Sequence, residues 1–487
     1  VTTPTTARVP RASVGLRSER GPVLLSVMLS TGLVAIDATI LAAAVPAVVR
    51  DLGGLSQFPW LFSVYVLAQA VSIPVYGKLA DLVGRKPMLL AGIALFLTGS
   101  LLCGLAWSMG ALVAFRAVQG LGAGAIQPIG MTIIGDIYSV AERATVQGYV
   151  ASVWAVSSLV GPTLGGVFAD YLSWRWIFLV NLPLGALAAW MLARRFAESP
   201  RSASGPARFD VLGSVLLLTG TVALLVALLE GGVLWPWGSV ATAALVAGAV
   251  VLLGAFVAVE RRAAEPVLPL WVFSQRAVSG AMAASLVVGV LLLGLTSYVP
   301  LYAQAVLGTG AVVAGFTLAG MTVGWPIAAA SAGRLYLRVG FRRTMLLGAG
   351  VAVLGGAGLL LVRPDGPVLL LAAPCFVLGL GFGLVASPSV VAAQSSVPWA
   401  RRGVATGATI FARSLGSAVG VAAFGAVANT VVRARLGHAP SDLESLPADV
   451  LGPALDTVWV VAAAISLALF LSALVMPREV HEVAREP

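Results

Sequence analysis

Charge is what this chain has least of. Only 10% of its 487 residues are Asp, Glu, Lys or Arg, against about 25% in soluble domains, and that deficit excludes a water-soluble globule. Its two histidines, His438 and His481, stand outside the apolar runs, so a histidine-based catalytic centre has nowhere to form. The two cysteines, Cys103 and Cys375, lie in different apolar runs; that spacing builds neither a disulfide framework nor a metal site. No G-x-x-x-x-G-K-S/T loop exists to cradle a nucleotide's phosphates. A membrane enzyme would need a nucleophile–base or metal cluster at one depth, and none is present; no cofactor is expected. No loop is built like a channel's selectivity filter. The longest outer loop, about 431–453, is too short for the soluble module of a receptor or scaffold.

What the chain does have is apolar length. It is 59% hydrophobic, with a mean hydropathy of +0.98. A membrane span needs roughly 20 apolar residues, and fourteen stretches qualify: 22–48, 57–80, 87–107, 109–135, 145–169, 174–195, 210–230, 238–260, 277–305, 310–336, 343–363, 367–391, 402–430 and 454–476. The expected fold class is therefore an all-α integral membrane protein with lipid as its main surroundings.

The net charge of +10 could suggest nucleic acid, but its distribution excludes that partner. With the N-terminus placed in the cytoplasm, 23 Lys and Arg fall on the inner side, five on the outer side and two, Arg116 and Arg413, within the membrane. Such an excess of basic residues in short loops on one face is the positive-inside pattern. Both termini are expected in the cytoplasm, in a multi-pass protein of the cell's inner or plasma membrane, most simply as a monomer. Residues 1–21 read as a Thr/Pro/Arg-rich tail with no apolar core, hence no signal peptide. Residues 477–487 form the other tail.

The chain repeats itself. GKLADLVGRKPMLL at 77–90 aligns without gaps with GRLYLRVGFRRTML at 333–346, an offset of 256 residues. Arg143 to Gly148 and Arg402 to Gly407 share the spacing Arg-x-x-x-x-Gly at a nearly equal offset. A loop after the second span that recurs 256 residues later has eight spans between its copies. The surplus pair sits between a Ser/Gly/Pro/Arg linker and the Glu260–Pro266 stretch. The expected division is a six-helix bundle at 22–195, a linker with two inserted helices at 196–276 and a second six-helix bundle at 277–476.

Four phrases carry candidate mechanism. In the loop after the second span, Gly77, Gly84 and the intervening Asp81 stand with Lys78, Arg85 and Lys86; the glycines allow a tight turn, and one carboxylate among cations can make charge-assisted contacts that break and re-form. The second copy has Leu337 where the first has Asp81. In the first span, Asp37 is the one carboxylate placed in hydrocarbon, where a charge is costly enough to imply function; a static salt bridge is the alternative. Arg116, in Phe-Arg-Ala-Val-Gln-Gly-Leu-Gly, occupies the fourth span. At 1.5 Å per residue Arg116 and Asp37 lie roughly 10 and 15 Å below the outer face, a shared layer that leaves open whether they face each other. In the fifth span, Ser157-Ser158-Leu159-Val160-Gly161-Pro162-Thr163-Leu164-Gly165-Gly166 puts small residues and a proline inside a membrane helix, where they permit close backbone approach or a kink.

These phrases resemble signatures of the major facilitator superfamily, in its subfamily of fourteen-span drug:proton antiporters. The loop is similar to G-x-L-a-D-r-x-G-r-k, with Leu82 replacing the first Arg. The first-span phrase is similar to D-x-T-v-v-n-v-A-L-P, with Ala43 and Val45 as departures. The fourth-span phrase resembles R-x-x-q-G-x-g-a, and the fifth-span phrase the antiporter motif of exporters, with Ser157 where a Gly is usual. The resemblance implies parallel six-helix repeats with a site between them, Asp37 and Arg116 as the proton-coupling pair, and Gly77, Asp81, Gly84, Arg85, Lys86, Gly161, Pro162, Gly165 and Gly166 as gating residues. It implies protons and a lipophilic small molecule as the exchanged partners. An exporter of an endogenous lipid or metabolite is the alternative within the class.

Ligand sites are mostly apolar and aromatic with few polar groups. Tyr65, Gln69, Gln127 and Trp154 in the first half, and Tyr298 and Trp325 in the second, fit that description, as does lipid-facing packing for each aromatic. Arg413 either lines the cavity or snorkels to the surface. Trp174, Trp176, Trp235 and Trp237 stand at span ends and read as interfacial anchors.

Overall fold

The computed structural model describes residues 14–53, 57, 60–198, 209–231, 235–436 and 446–480. His438, His481, most of the two predicted tails and the 199–208 linker lie outside the described residues. The described secondary structure is helical, apart from an isolated bridge between Gly231 and Trp235. The long helices are α1 Gly21–Leu52, α2 Trp60–Val83, α3 Arg85–Gly104, α4 Met109–Ile137, α5 Val140–Tyr171, α6 Asn181–Arg195, α7 Val211–Glu230, α8 Val240–Glu260, α9 Arg276–Leu301, α10 Ala311–Val339, α11 Phe341–Leu359, α12 Leu369–Ser395, α13 Arg402–Leu436 and α14 Ala448–Val475.

Thirteen of these segments are long and apolar enough to cross a membrane, α6 together with the short turn Trp176–Leu179 before it. The remaining one, α11, opens Phe-Arg-Arg-Thr, which lowers its mean hydropathy; its 19 residues still extend about 28 Å. Prolines interrupt many of the helices, among them Pro46, Pro74, Pro128, Pro162, Pro326 and Pro388. In lipid such breaks persist because neighbouring helices re-satisfy the freed backbone groups.

Helix pairing repeats with the sequence. α1 packs on α5, α2 and α3 on α4, and α1 on α6. Eight helices later, α9 packs on α13, α10 and α11 on α12, and α9 on α14. Two further pairings join the halves, α5 with α10 and α2 with α13, and they too are related by that shift. Glycines set the seams. A Cβ on Gly122 would fall 2.3 Å from the Phe96 nitrogen, and one on Gly381 would fall 2.7 Å from the Ala352 nitrogen. With no hydrophobic drive between helices in lipid, such close approach supplies the dispersion contacts that hold them together.

α7 and α8, which stand between the two sets of repeated pairings, pack on each other. α7 also leans on both halves: Leu225, Leu218 and Val222 share an apolar cluster with Leu67, Ala70 and Val71 of α2 and with Leu415 and Ala418 of α13. Below, the end bearing Asp81, Arg85 and Arg402 is called the basic face, and the end bearing Asp51 and Trp174 the opposite face.

Candidate functional site

Asp37 and Arg116, each 1% exposed, meet directly between α1 and α4. Arg116 Nη1 donates to Asp37 Oδ2 at 2.6 Å and to Gln119 Oε1 at 2.7 Å. Gln119 Nε2 donates to Asp37 Oδ1 at 2.8 Å and to Ser100 Oγ at 2.7 Å, and Asn181 Nδ2 reaches the same hydroxyl at 3.1 Å. Arg116 Nε donates to the Leu61 carbonyl at 3.1 Å, and the guanidinium lies 4.0 Å over the Tyr65 ring. Five helices, α1, α2, α3, α4 and α6, thus contribute to one buried polar knot. Arg116 and Gln119 come from one helix face because residues three apart are neighbours there. Gln119 stands where it does because Gly99 of α3 leaves room: a Cβ on Gly99 would fall 2.5 Å from the Gln119 backbone.

Tyr65 is therefore a packing partner of the ion pair. The fifth-span phrase adjoins the same site. A Cβ on Gly161 would fall 2.0 Å from Thr39 Oγ1, and that hydroxyl donates to the Ser157 carbonyl at 3.0 Å. Thr39 follows Asp37 by two residues, so the small residues of α5 press against the helix that carries the buried acid. Gly165 is buried, Pro162 is exposed, and Gly166 has open space around it.

The repeated phrase, expected as a loop, instead closes α2 and opens α3 with only Gly84 between them, and it builds a second site at the basic face. Asp81 Oδ1 accepts from the Gly403 amide at 3.0 Å and Oδ2 from the Val404 amide at 2.8 Å. Both amides open α13, where unsatisfied N–H groups and the helix dipole favour an anion. Arg85 Nη2 donates to Asp81 Oδ1 at 2.8 Å and to the Trp399 carbonyl at 2.7 Å, with its guanidinium 3.7 Å over the Trp399 ring. Arg85 Nε lies 3.1 Å from Asp136 Oδ2, whose other oxygen faces Arg402 Nη1 at 3.3 Å. Gly77 permits the contact, since its Cβ would fall 2.8 Å from the Gly403 carbonyl. Of the three cations predicted around Asp81, only Arg85 binds it. Lys78 reaches Glu265 at 2.5 Å, and Lys86 engages Glu198 through its backbone nitrogen at 3.1 Å.

The second copy mirrors this arrangement without the acid. Gly84 and Gly340 both adopt positive φ, +123° and +87°, a conformation that favours glycine. Gly333 abuts Ala144 at the start of α5, as Gly77 abuts Gly403 at the start of α13. Tyr336 donates to the Val140 carbonyl at 3.2 Å. Arg143 and Arg402, the two arginines of the shared spacing, both donate to the Gly135 carbonyl. Gln394 Nε2 adds a bond to the Met131 carbonyl at 3.0 Å.

Other predicted residues scatter. Gln69, Gln127 and Trp154 are half-buried. Tyr298 packs edge-on to Phe424 at 6.4 Å, and Trp325 to Phe382 at 6.0 Å. Arg413 is half-buried on α13. Trp174 is a correction: it is buried, not an interfacial anchor, and its Nε1 donates to Asp51 Oδ2 at 2.9 Å. Arg175 donates to the same oxygen at 2.7 Å, and these two bonds hold the Asp51 carboxyl below its ordinary range. Together they border an opposite-face cavity of about 400 Å3. Asp456 lies about two turns inside the helix that begins at Ala448.

Two helical halves with repeated pairings, joined around buried ion pairs, define a multi-pass membrane transporter and not an enzyme. The chain belongs to the Major Facilitator Superfamily, whose sequence model matches residues 27–421. It is 34% identical over 441 residues to the multidrug transporter protein MdtP of Bacillus subtilis, covering 89% of this chain and 80% of that one. Multidrug resistance protein 3 of the same organism is 34% identical over 422 residues, covering 87% and 82%. In fold, the chain is similar to the human organic anion transporter MFSD10, with a TM-score of 0.63 at 15% identity over 93% of this chain and 99% of that one.

Proposed function

We propose that this protein is a proton-coupled exporter of lipophilic compounds, drugs or antibiotics among them, working by alternating access. The observation that carries the reading is the buried Asp37–Arg116–Gln119 knot. A proton arriving at Asp37 competes with the Arg116 and Gln119 donors for the carboxylate oxygens, so protonation and rearrangement of α1 against α4 are one event. Small residues of α5 give α1 a smooth surface to move on. The Asp81–Gly403 clasp holds the basic face shut in one state, and the positive-inside pattern supports a cytoplasmic side for that face and for both termini. Residues 22–195 and 277–476 are the two lobes, and α7 and α8 the insertion between them. The names of the Bacillus relatives favour drug export over export of an endogenous lipid.

The test is transport in proteoliposomes with an imposed proton gradient and a panel of neutral, cationic and anionic lipophilic dyes. The wild type is expected to accumulate at least one dye against its gradient, and Asp37→Asn to lose that accumulation. Accumulation undiminished in Asp37→Asn overturns the coupling role.

A further inference from the structure

Arg413 is a membrane-embedded cation with no ion pair or hydrogen bond among the described residues. The helices around it cannot supply a counter-charge. None of α9, α10, α11, α12 and α13 contains an acidic residue. On α2 and α4, Asp81 and Asp136 are engaged by Arg85, Arg402 and the α13 amides at the basic face; Gly403 at that level is ten residues from Arg413, about 15 Å along the helix. Asp37 belongs to Arg116. Glu230 closes α7 near Ser63, at the opposite face. Asp456 of α14 lies about 12 Å from Arg413 along the membrane normal, from 1.5 Å per residue counted from the basic ends of α13 and α14.

Helix geometry fixes the sector Arg413 occupies. Gly416 and Gly420 press on Leu286 and Val290 of α9, while Gly403 and Gly407 press on Gly77 and Ile73 of α2. Leu415 and Ala418 meet α7. At 3.6 residues per turn, position 413 falls between the α9 and α2 faces, on the side of α13 away from α7. That side is the space between the two halves, not the lipid. The Arg413 carbonyl lies against Gly289, where an added Cβ would fall 2.1 Å from it, so α13 packs closely on α9 at this residue. On the adjoining turn, Ile410 and Phe411 form an apolar cluster with Ile73.

We propose that Arg413 anchors an anionic group of the transported compound, and that the substrates are amphipathic anions bearing a carboxylate, sulfonate or phosphate. The reading rests on the export function above and narrows its substrate class. A guanidinium forks onto such groups with two parallel bonds, and the apolar turn beside it receives the hydrocarbon body. The cation persists without a protein partner because its partner arrives with the cargo.

The test is equilibrium binding to the full chain in phosphatidylcholine nanodiscs. The probes are 1-pyrenesulfonate and a pyrene trimethylammonium of the same ring system. The wild type is expected to prefer the sulfonate. Arg413→Gln should weaken sulfonate binding by about ten- to hundredfold, the range for a hydrogen bond to a charged group, and leave ammonium binding unchanged; Arg413→Lys should retain part of the preference. A wild type that favours the ammonium, or an Arg413→Gln protein that still favours the sulfonate, overturns the proposal. Should Arg413→Gln fail to fold, Arg413→Lys decides: sulfonate binding must fall while ammonium binding holds, and equal binding of the two probes by the wild type is fatal. Competition by lysophosphatidylglycerol assigns the anion to a lipid, and its failure assigns it to a free amphiphile; both outcomes uphold the site. Gradient-driven transport of a cationic dye, with no sulfonate preference in binding, would leave the export reading standing and remove this one.

Discussion

Asp81 and Gly403, 322 residues apart in the chain, are joined by a 3.0 Å bond from the Gly403 amide to Asp81 Oδ1. The bond places a carboxylate of the first half on the first turn of a helix of the second. Its pseudo-equivalent, at Leu337, has no acid to offer, so the carboxylate clasp stands on one side, while Tyr336 ties the other through the Val140 carbonyl at 3.2 Å.

Asp81→Asn is expected to loosen this clasp, because a neutral amide keeps little of the attraction to the helix dipole and to Arg85. The loss should be about 1–3 kcal/mol, the scale of a charge-assisted buried bond. Spin labels at the exposed positions Val83 and Leu337 should show a larger population at long distance than in the unsubstituted protein. An unchanged distance distribution would contradict the clasp.

The two positive-φ glycines should respond unequally to alanine. Both substitutions incur backbone strain of about 1–2 kcal/mol. At Gly84 the new Cβ would also fall 2.8 Å from Glu198 Oε2, whereas at Gly340 the nearest atom is 3.7 Å away. Thermal unfolding in detergent should therefore fall further for Gly84→Ala than for Gly340→Ala.

Removing one partner of the buried pair should cost more than removing both. Arg116→Met strands the Asp37 carboxylate, a loss of about 3–5 kcal/mol. The double substitution Asp37→Leu with Arg116→Met should recover part of that stability while remaining inactive in transport. A double-mutant cycle on thermal stability measures the recovery; strict additivity would show that the two do not interact.

Asp51 should contribute a tie that only strong acid breaks. Its bonds from Trp174 and Arg175 hold its pKa below the ordinary value of 3.8. The stabilisation is fully present above that value and is lost as pH falls through the lower folded-state pKa. The difference in melting temperature between wild type and Asp51→Asn should thus be flat from neutrality to about pH 5 and shrink below pH 4.

Much of this organisation is legible in the sequence. The 256-residue offset between the two loops announces the repeated helix pairings, and the phrases around Asp37, Arg116 and Asp81 contain the central residue of each buried cluster. Depth alone did not show that Asp37 and Arg116 face each other, because spacing along a span carries no information on rotation when the helix is apolar on all sides. Ser100 and Asn181 were missed for the same reason: a lone polar residue in a glycine-rich span has no periodic signal. Asp136 and Arg402 sit at helix ends, where charges read as interfacial. Gln119 was within reach, since its spacing of three from Arg116 puts both on one face.

α7 touches α2 and α13 together, through Leu225 and its neighbours. In the proposed alternating-access cycle, a pivot of one lobe against the other would shear that apolar cluster, and α7 would set a friction on the working stroke. Smoother or rougher side chains at Leu218, Val222 and Leu225 would then tune turnover without touching any charged group.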